Sequence, residues 1–237
     1  MKTLLLTGAS RGLGLEFARQ YAGDGWRVIA CCRDPEAATA LRELADAGDA
    51  VTIERLDVDD FGAIDALAAR YAGQPIDVLL NNAGIMGALP LAEHIERQFF
   101  GKVDYDLWAA VIRTNTFAPV KMAEAFLEHV AASDDRKIVT ISSSVGSITE
   151  MNVPALAYAS SKTALNRVMT TIAEAVKPRG VTVALLCPGY AKTRMDAFGA
   201  ATLEVPESVS LLRHIIDGLT IDDAGSFTGH DGRTIGW

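Results

Sequence analysis

The sequence predicts an α/β domain, a doubly wound parallel sheet of about seven strands with helices on both faces. Three observations carry this expectation. Short apolar runs of β type alternate with helical patterns along all 237 residues. Those runs are close to continuously apolar, as strands covered on both faces are. Polar or glycine-bearing turns follow the runs, on the rim where open sheets of this kind bind ligands.

The elements follow in order. TLLLT (3–7) is a buried strand, and a helix runs from 13 to about 22. WRVIACC (26–32) is the second strand. Asp34 then reads as a helix N-cap, Pro35 as the first helical residue and Gly48 as the stop. VTIERLDV (51–58) is a strand, 61–73 a helix closed by Gly73, and IDVLLNN (76–82) a strand. A long helix covers roughly 105–131, RKIVTISS (136–143) is a strand, and a second long helix covers roughly 155–177. VTVALLC (181–187) is the sixth strand, 206–219 the last helix, and the tail SFTGHDGRTIGW adds a short strand. No repeat, low-complexity segment or linker interrupts the pattern, so a single domain over 1–237 is expected.

Composition narrows the function classes. Hydrophobic residues make up 49% and charged residues 22%, an ordinary globular balance. A net charge of −8 argues against nucleic-acid binding, which needs a basic face, and against docking on anionic membranes. Cys31, Cys32 and Cys187 offer neither a disulfide framework nor metal spacing, and His94, His129, His214 and His230 are scattered, so no metal is expected. The opening apolar run stops at Thr7-Gly8, and no window approaches the roughly 18 apolar residues of a membrane span. The chain is expected to be soluble and cytoplasmic.

Chemistry is sought at the strand ends. TGASRGLG (7–14) puts Gly8, Gly12 and Gly14 between a strand and a helix, where backbone can approach a pyrophosphate and a helix N-terminus can stabilise the anion. Asp57-Val58 follows the third strand; the carboxylate suits an adenine amino group or, equally, a helix N-cap. NNAG (81–84) ends the fourth, ISSSVG (141–146) the fifth and CPGYAKT (187–193) the sixth. In YASSK, Tyr158 and Lys162 stand at i and i+4 on one helix face. A lysine there favours the phenolate, lowering a pKa that is ordinarily about 10.

In this order TGASRGLG, LDV, NNAG, the asparagine of RTNTFAP, VTISSSVGS, YASSK and PGYAKT resemble the short-chain dehydrogenase/reductase family over essentially the whole chain. The C-terminal portion resembles its C-factor and sniffer-type carbonyl reductase branch. The resemblance implies a Rossmann fold and reversible hydride transfer between a nicotinamide and a small carbonyl or alcohol. It makes Tyr158 the acid/base, Lys162 a ribose-binding and proton-passing residue, Asn115 the holder of a relay water, and Ser143, ahead of Ser144, the group facing the substrate oxygen. It implies cofactor contacts from Gly8, Ser10, Arg11, Gly12, Leu13 and Gly14 in the first turn. Further contacts are implied from Arg33, from Asp57 and Val58, from Asn82, Ala83 and Gly84, and from Pro188, Gly189 and Thr193. In this family the two long helices commonly build a bundle with a second subunit, implying a homodimer or homotetramer. The alternative is a nucleotide-binding sensor of C-factor type with little turnover.

Cofactor choice can be argued from charge. Selectivity depends on what meets the adenosine ribose roughly 20 residues past the glycine-rich turn. No acid appears there until Asp34, which is accounted for as an N-cap, while Arg33 and Arg11 can grip a 2′-phosphate. NADP(H) is therefore preferred, with NAD(H) the alternative if Asp34 takes the ribose. Three segments set this chain apart. The stretch between Gly84 and Asn115 is long enough for an extra turn or flap, SITEMNVPALA carries a small loop insertion, and RMDAFGAATLEV makes only a small lid.

Overall fold

The computed structural model describes residues 1–150, 153–196 and 199–237. Its strands are β1 (Thr3–Thr7), β2 (Arg27–Cys32), β3 (Val51–Arg55), β4 (Val78–Asn81), β5 (Lys137–Ile141), β6 (Thr182–Cys187) and β7 (Phe227–Gly229). They pair in parallel throughout, in the order β3-β2-β1-β4-β5-β6-β7. The helices are α1 (Gly12–Gly23), α2 (Thr39–Asp46), α3 (Phe61–Arg70), α4 (Leu91–His94), α5 (Tyr105–Ile112), α6 (Ala118–Ala131), α7 (Leu156–Val176) and α8 (Val205–Gly218).

Strand periodicity sorts the core into two layers. The register aligns Ile29, Leu5, Leu79, Ile138 and Val183 across the sheet. These face a core completed by Ile64 and Leu67 of α3, Met122 and Phe126 of α6, and Leu165 and Met169 of α7. One residue along, Ala30, Leu6, Leu80, Val139 and Ala184 align and face the opposite way. They pack on Phe17 and Tyr21 of α1, Leu41 of α2, and Val209, Leu212 and Ile216 of α8. Adjacent Cys31 and Cys32 accordingly sit in different layers. Each fully buried aliphatic side chain contributes about 1.5–3 kcal/mol. A one-residue slip would exchange the two rows, so the register is strongly specified.

Several boundaries differ from expectation. The helix expected from Pro35 begins at Thr39. Asp34 Oδ1 instead accepts from Ala37 N–H at 3.3 Å, and Ala38 N–H donates to Pro35 O, so a local turn takes the place of the first helical turn. Asp57 is not the cap of α3; Asp60 is, accepting from Ala63 N–H at 3.0 Å. The helix expected over 105–131 is divided into α5 and α6 by a π turn, Arg113–Phe117. Pro119, four residues past Asn115, has no N–H to return to the Asn115 carbonyl, so the α ladder is not continuous there.

The long stretch after Gly84 does fold as an added unit, α4 followed by a 3₁₀ turn, Ile95–Gln98. Met151 and Asn152, in the loop read as an insertion, lie outside the described residues, as do Ala197 and Phe198, in the segment read as a small lid.

Candidate functional site

The glycine-rich turn is pressed against the end of β4. Gly8 has φ +71, and a Cβ there would lie 2.9 Å from Ala83 Cα. Asn82 ties the two together: its Nδ2 donates to Thr7 O at 2.9 Å, while Asn82 and Ala83 N–H both donate to Thr7 Oγ1. At Gly14 a Cβ would fall 2.2 Å from Gly8 O, so only glycine lets the first turn of α1 come this close. The N-terminus of α1 starts at Gly12 with no side-chain cap and no acid in its first turn. Its free N–H groups and the positive end of the helix dipole suit a pyrophosphate. Ser10 and Leu13 flank this point half-buried, and Gly12 faces Thr193, whose Cγ2 would be 3.7 Å from a Cβ at Gly12. The loop after β6 thus reaches back over the turn, with Pro188 and Gly189 at its start and His230 beside Gly189.

Arg11 and Arg33 are exposed, and neither guanidinium has a bonded partner among the described residues. The two segments meet through Ala9 N–H on Cys31 O, at 3.0 Å. Arg55 joins them, its Nη1 donating to Arg33 O at 3.3 Å. This third cation was missed in sequence; it ends β3 opposite Cys32, and only the strand register brings it there. Asp57 is exposed beyond β3, its Oδ1 accepting from Asp59 N–H at 3.1 Å, with Val58 buried behind it.

The second half of the site surrounds the start of α7. Tyr158 and Lys162 are both buried, with Lys162 Nζ 5.8 Å from the centre of the Tyr158 ring. Lys162 Nζ donates to Ile141 O, at the end of β5, at 2.9 Å. The Ser143 hydroxyl accepts from Val145 N–H at 3.3 Å and lies near enough to the Tyr158 phenol to favour its charged form. Ser142 points away, donating to Asn166 Oδ1 at 2.6 Å, and Ser144 N–H donates to Cys187 Sγ at 3.2 Å. Ser143 is the serine whose hydroxyl bears on the Tyr158 phenol.

Asn115 bridges the halves. Its Nδ2 donates to Ile85 O at 2.8 Å and to Ser161 Oγ at 3.0 Å, and its Oδ1 accepts from Ile85 N–H at 2.8 Å. Both donors are used, and one lone pair of Oδ1 is left for a water. A Cβ on Gly84 would sit 3.2 Å from Asn115 Oδ1 and 3.8 Å from Lys162 Nζ.

Burial dominates the electrostatics. It pushes the Tyr158 phenol up to about 12, against the lowering effect of the Ser143 hydrogen bond. It pulls the Lys162 ammonium down to about 8. In the cofactor-free chain the phenol therefore stands above its ordinary value, the opposite of the lowering expected from the sequence. At neutral pH the phenol carries its proton.

Two further residues were missed in sequence. Cys187 is buried, and its sulfur accepts from Ser144 N–H and so braces the turn carrying Ser143. Gln98, completely buried, reaches Tyr158 from the added unit. Beside this unit, Leu89, Pro90, Leu91 and Ala92 face Arg194 and Asp196 across a cavity of about 420 Å³. Leu91 also packs in one apolar cluster with Ile95, Ala155 and Tyr158, so the added unit borders both the cavity and the Tyr158 side chain.

Comparison with known proteins gives the family and the fold. The family described as short chain dehydrogenase matches residues 2–203. The structure resembles NADPH-bound carbonyl reductase from chicken fatty liver, with a TM-score of 0.90 and 30% identity over 100% of this chain and 99% of that one. It also resembles the carbonyl reductase Sniffer of D. melanogaster, with a TM-score of 0.88 and 29% identity over 100% of both chains. The C-signal protein of Myxococcus xanthus is 31% identical over 173 residues, 73% of this chain and 99% of that protein.

Proposed function

The chain belongs to the short chain dehydrogenase family and is an NAD(P)-dependent oxidoreductase of its carbonyl-reductase-like branch, and from that premise we propose that it reduces small carbonyl compounds with NADPH, Tyr158 giving the proton. The observation that carries this reading is the buried Tyr158 phenol, with Ser143 near it and Lys162 Nζ 5.8 Å from its ring centre. The nicotinamide, when bound, supplies the hydride. The first-turn amides and Gly8, Gly12 and Gly14 would hold its pyrophosphate, and Arg11, Arg33 and Arg55 a 2′-phosphate. Asp57, Asn82, Ala83, Gly84, Pro188, Gly189 and Thr193 would line the rest of its length.

In this reading Tyr158 transfers its hydroxyl proton to the carbonyl oxygen. Ser143 donates a hydrogen bond to that oxygen as negative charge builds on it. Lys162 replaces the proton at Tyr158, drawing on a water held by Asn115. A positioned acid contributes about 10²–10⁴ in rate. The chain acts as one catalytic domain over 1–237, as a homodimer or homotetramer, in the cytoplasm. Among the described residues no helix is long and apolar enough to cross a membrane.

The test follows NADPH fluorescence and consumption with a panel of aldehydes, ketones and diketones, beside NADH as rival cofactor. Consumption with kcat/KM higher for NADPH is expected. Tyr158→Phe should lose at least about a hundredfold in kcat while binding NADPH as before. A wild-type rate in that variant removes Tyr158 from the role. Binding without consumption across the panel would instead support a nucleotide-binding sensor, the reading that similarity to the C-signal protein favours.

A further inference from the structure

We propose that Gln98 is a positioning residue for Tyr158, a cap supplied to α7 from the unit inserted after β4. This rests on the reading of Tyr158 as proton donor. The first N–H groups of any helix lack partners within it. At α7 the N-cap is Ala155, which has no side chain to offer them. Tyr158 N–H falls in this first turn; the first backbone bond back to the cap comes one residue later, from Ala159 N–H to Ala155 O at 2.9 Å. Gln98 Oε1 accepts from Tyr158 N–H at 2.9 Å. Its Nε2 donates to Met86 O at 2.7 Å.

The two partners fix which end of the amide is which. A backbone N–H can only give and a carbonyl can only take, so the oxygen must face Tyr158 and the nitrogen Met86. Gln98 is completely buried, so water offers Tyr158 N–H no ready substitute. The site is tight as well: a Cβ on Gly87 would lie 2.9 Å from Gln98 Nε2. Leu91 and Ile95, from the same inserted unit, pack in a cluster with Ala155 and Tyr158. One short segment therefore lines the cavity, walls the phenol and holds the backbone from which the phenol projects.

The bond acts on the placement of Tyr158 and leaves the cofactor contacts alone. Its loss should appear in kcat and not in cofactor affinity. Gln98→Leu should lower kcat for carbonyl reduction about ten- to a hundredfold, with the NADPH dissociation constant within twofold of wild type. Gln98→Glu keeps an acceptor for Tyr158 N–H but sets its second oxygen against Met86 O, so it should recover rate only at low pH, where the carboxyl is protonated and can donate. If Gln98→Leu fails to fold, Gly87→Ala displaces the amide from outside and should lower kcat in the same way. A folded Gln98→Leu or Gly87→Ala with kcat within twofold of wild type would overturn the proposal. The tests are separable: an active wild type with inactive Tyr158→Phe and unimpaired Gln98→Leu sinks this inference alone. An active Tyr158→Phe sinks the proton-donor reading beneath it.

Discussion

Burial moves Tyr158 and Lys162 in opposite directions, and this sets a pH dependence. With Lys162 drawn down to about 8 in the cofactor-free chain, its ammonium loses its proton in an accessible range. The kcat/KM for NADPH reports the free enzyme. The charged form is the one proposed to engage the ribose hydroxyls and resupply the proton. The parameter should therefore hold below pH about 8 and fall as pH rises through that value. The Tyr158 phenol, pushed up to about 12, stays protonated across this window and adds no limb of its own. Lys162→Met should be slow at every pH and lack the limb. A wild-type profile flat from pH 6 to about 10 would refute the assignment. The pairing of Tyr158 with Lys162 was legible from their spacing, because i and i+4 share a helix face whatever the rest of the chain does. Their burial was not. It depends on Gln98, Leu91 and Ile95 folding back from a segment whose sequence has no pattern pointing to α7.

At the scale of elements, the turn from β1 into α1 is the junction with least room. The strand–glycine–helix order was readable because each glycine sits where backbone must pass backbone. The reading stopped short where side chains override local signals. Asp34 was taken for a helix cap, but its carboxylate satisfies Ala37 N–H and holds a turn that postpones α2 to Thr39. Asp57 and Asp60 are equally plausible caps by residue type, and only the path of the chain after β3 chooses Asp60. The π turn at Asn115 has a signal in Pro119, which continuous apolar periodicity masked. The junction itself yields a prediction. Gly14→Ala places a methyl 2.2 Å from Gly8 O, a backbone atom with no freedom to step aside while Asn82 Nδ2 also holds it at 3.3 Å. Helix α1 must retreat, costing about 1–3 kcal/mol as overpacking does. The urea midpoint should fall, and NADPH should bind more weakly because the first-turn amides move with the helix. An unchanged midpoint would mean the turn has slack that its contacts do not suggest.

Across the whole molecule, both faces of the sheet were readable from the alternation along its strands. What lies outside the helix layer was not, because a monomer's periodicity does not distinguish water from a second subunit. The surface gives firmer ground. Tyr105 is 74% exposed on α5, and Phe117 is 52% exposed where the π turn meets α6. Trp108 stacks on Tyr105 with ring centres 6.1 Å apart and donates to Ser160 Oγ at 2.8 Å, so this aromatic surface is tied to α7. Large rings left in water on the pair of elements flanking the proposed site fit the expected subunit interface. A standard interface takes about 800 Å² from each partner, a modest part of the 10788 Å² the chain exposes. Light scattering at micromolar concentration should give two or four times 25.2 kDa. Tyr105→Glu combined with Phe117→Glu should bring the mass down towards a single chain, since association would bury carboxylates without a partner of opposite charge. The contacts proposed for the cofactor all lie within one chain, so the separated subunit should still bind NADPH. A wild-type mass of one chain would remove the interface. A dimer that survives both substitutions would move it to another face.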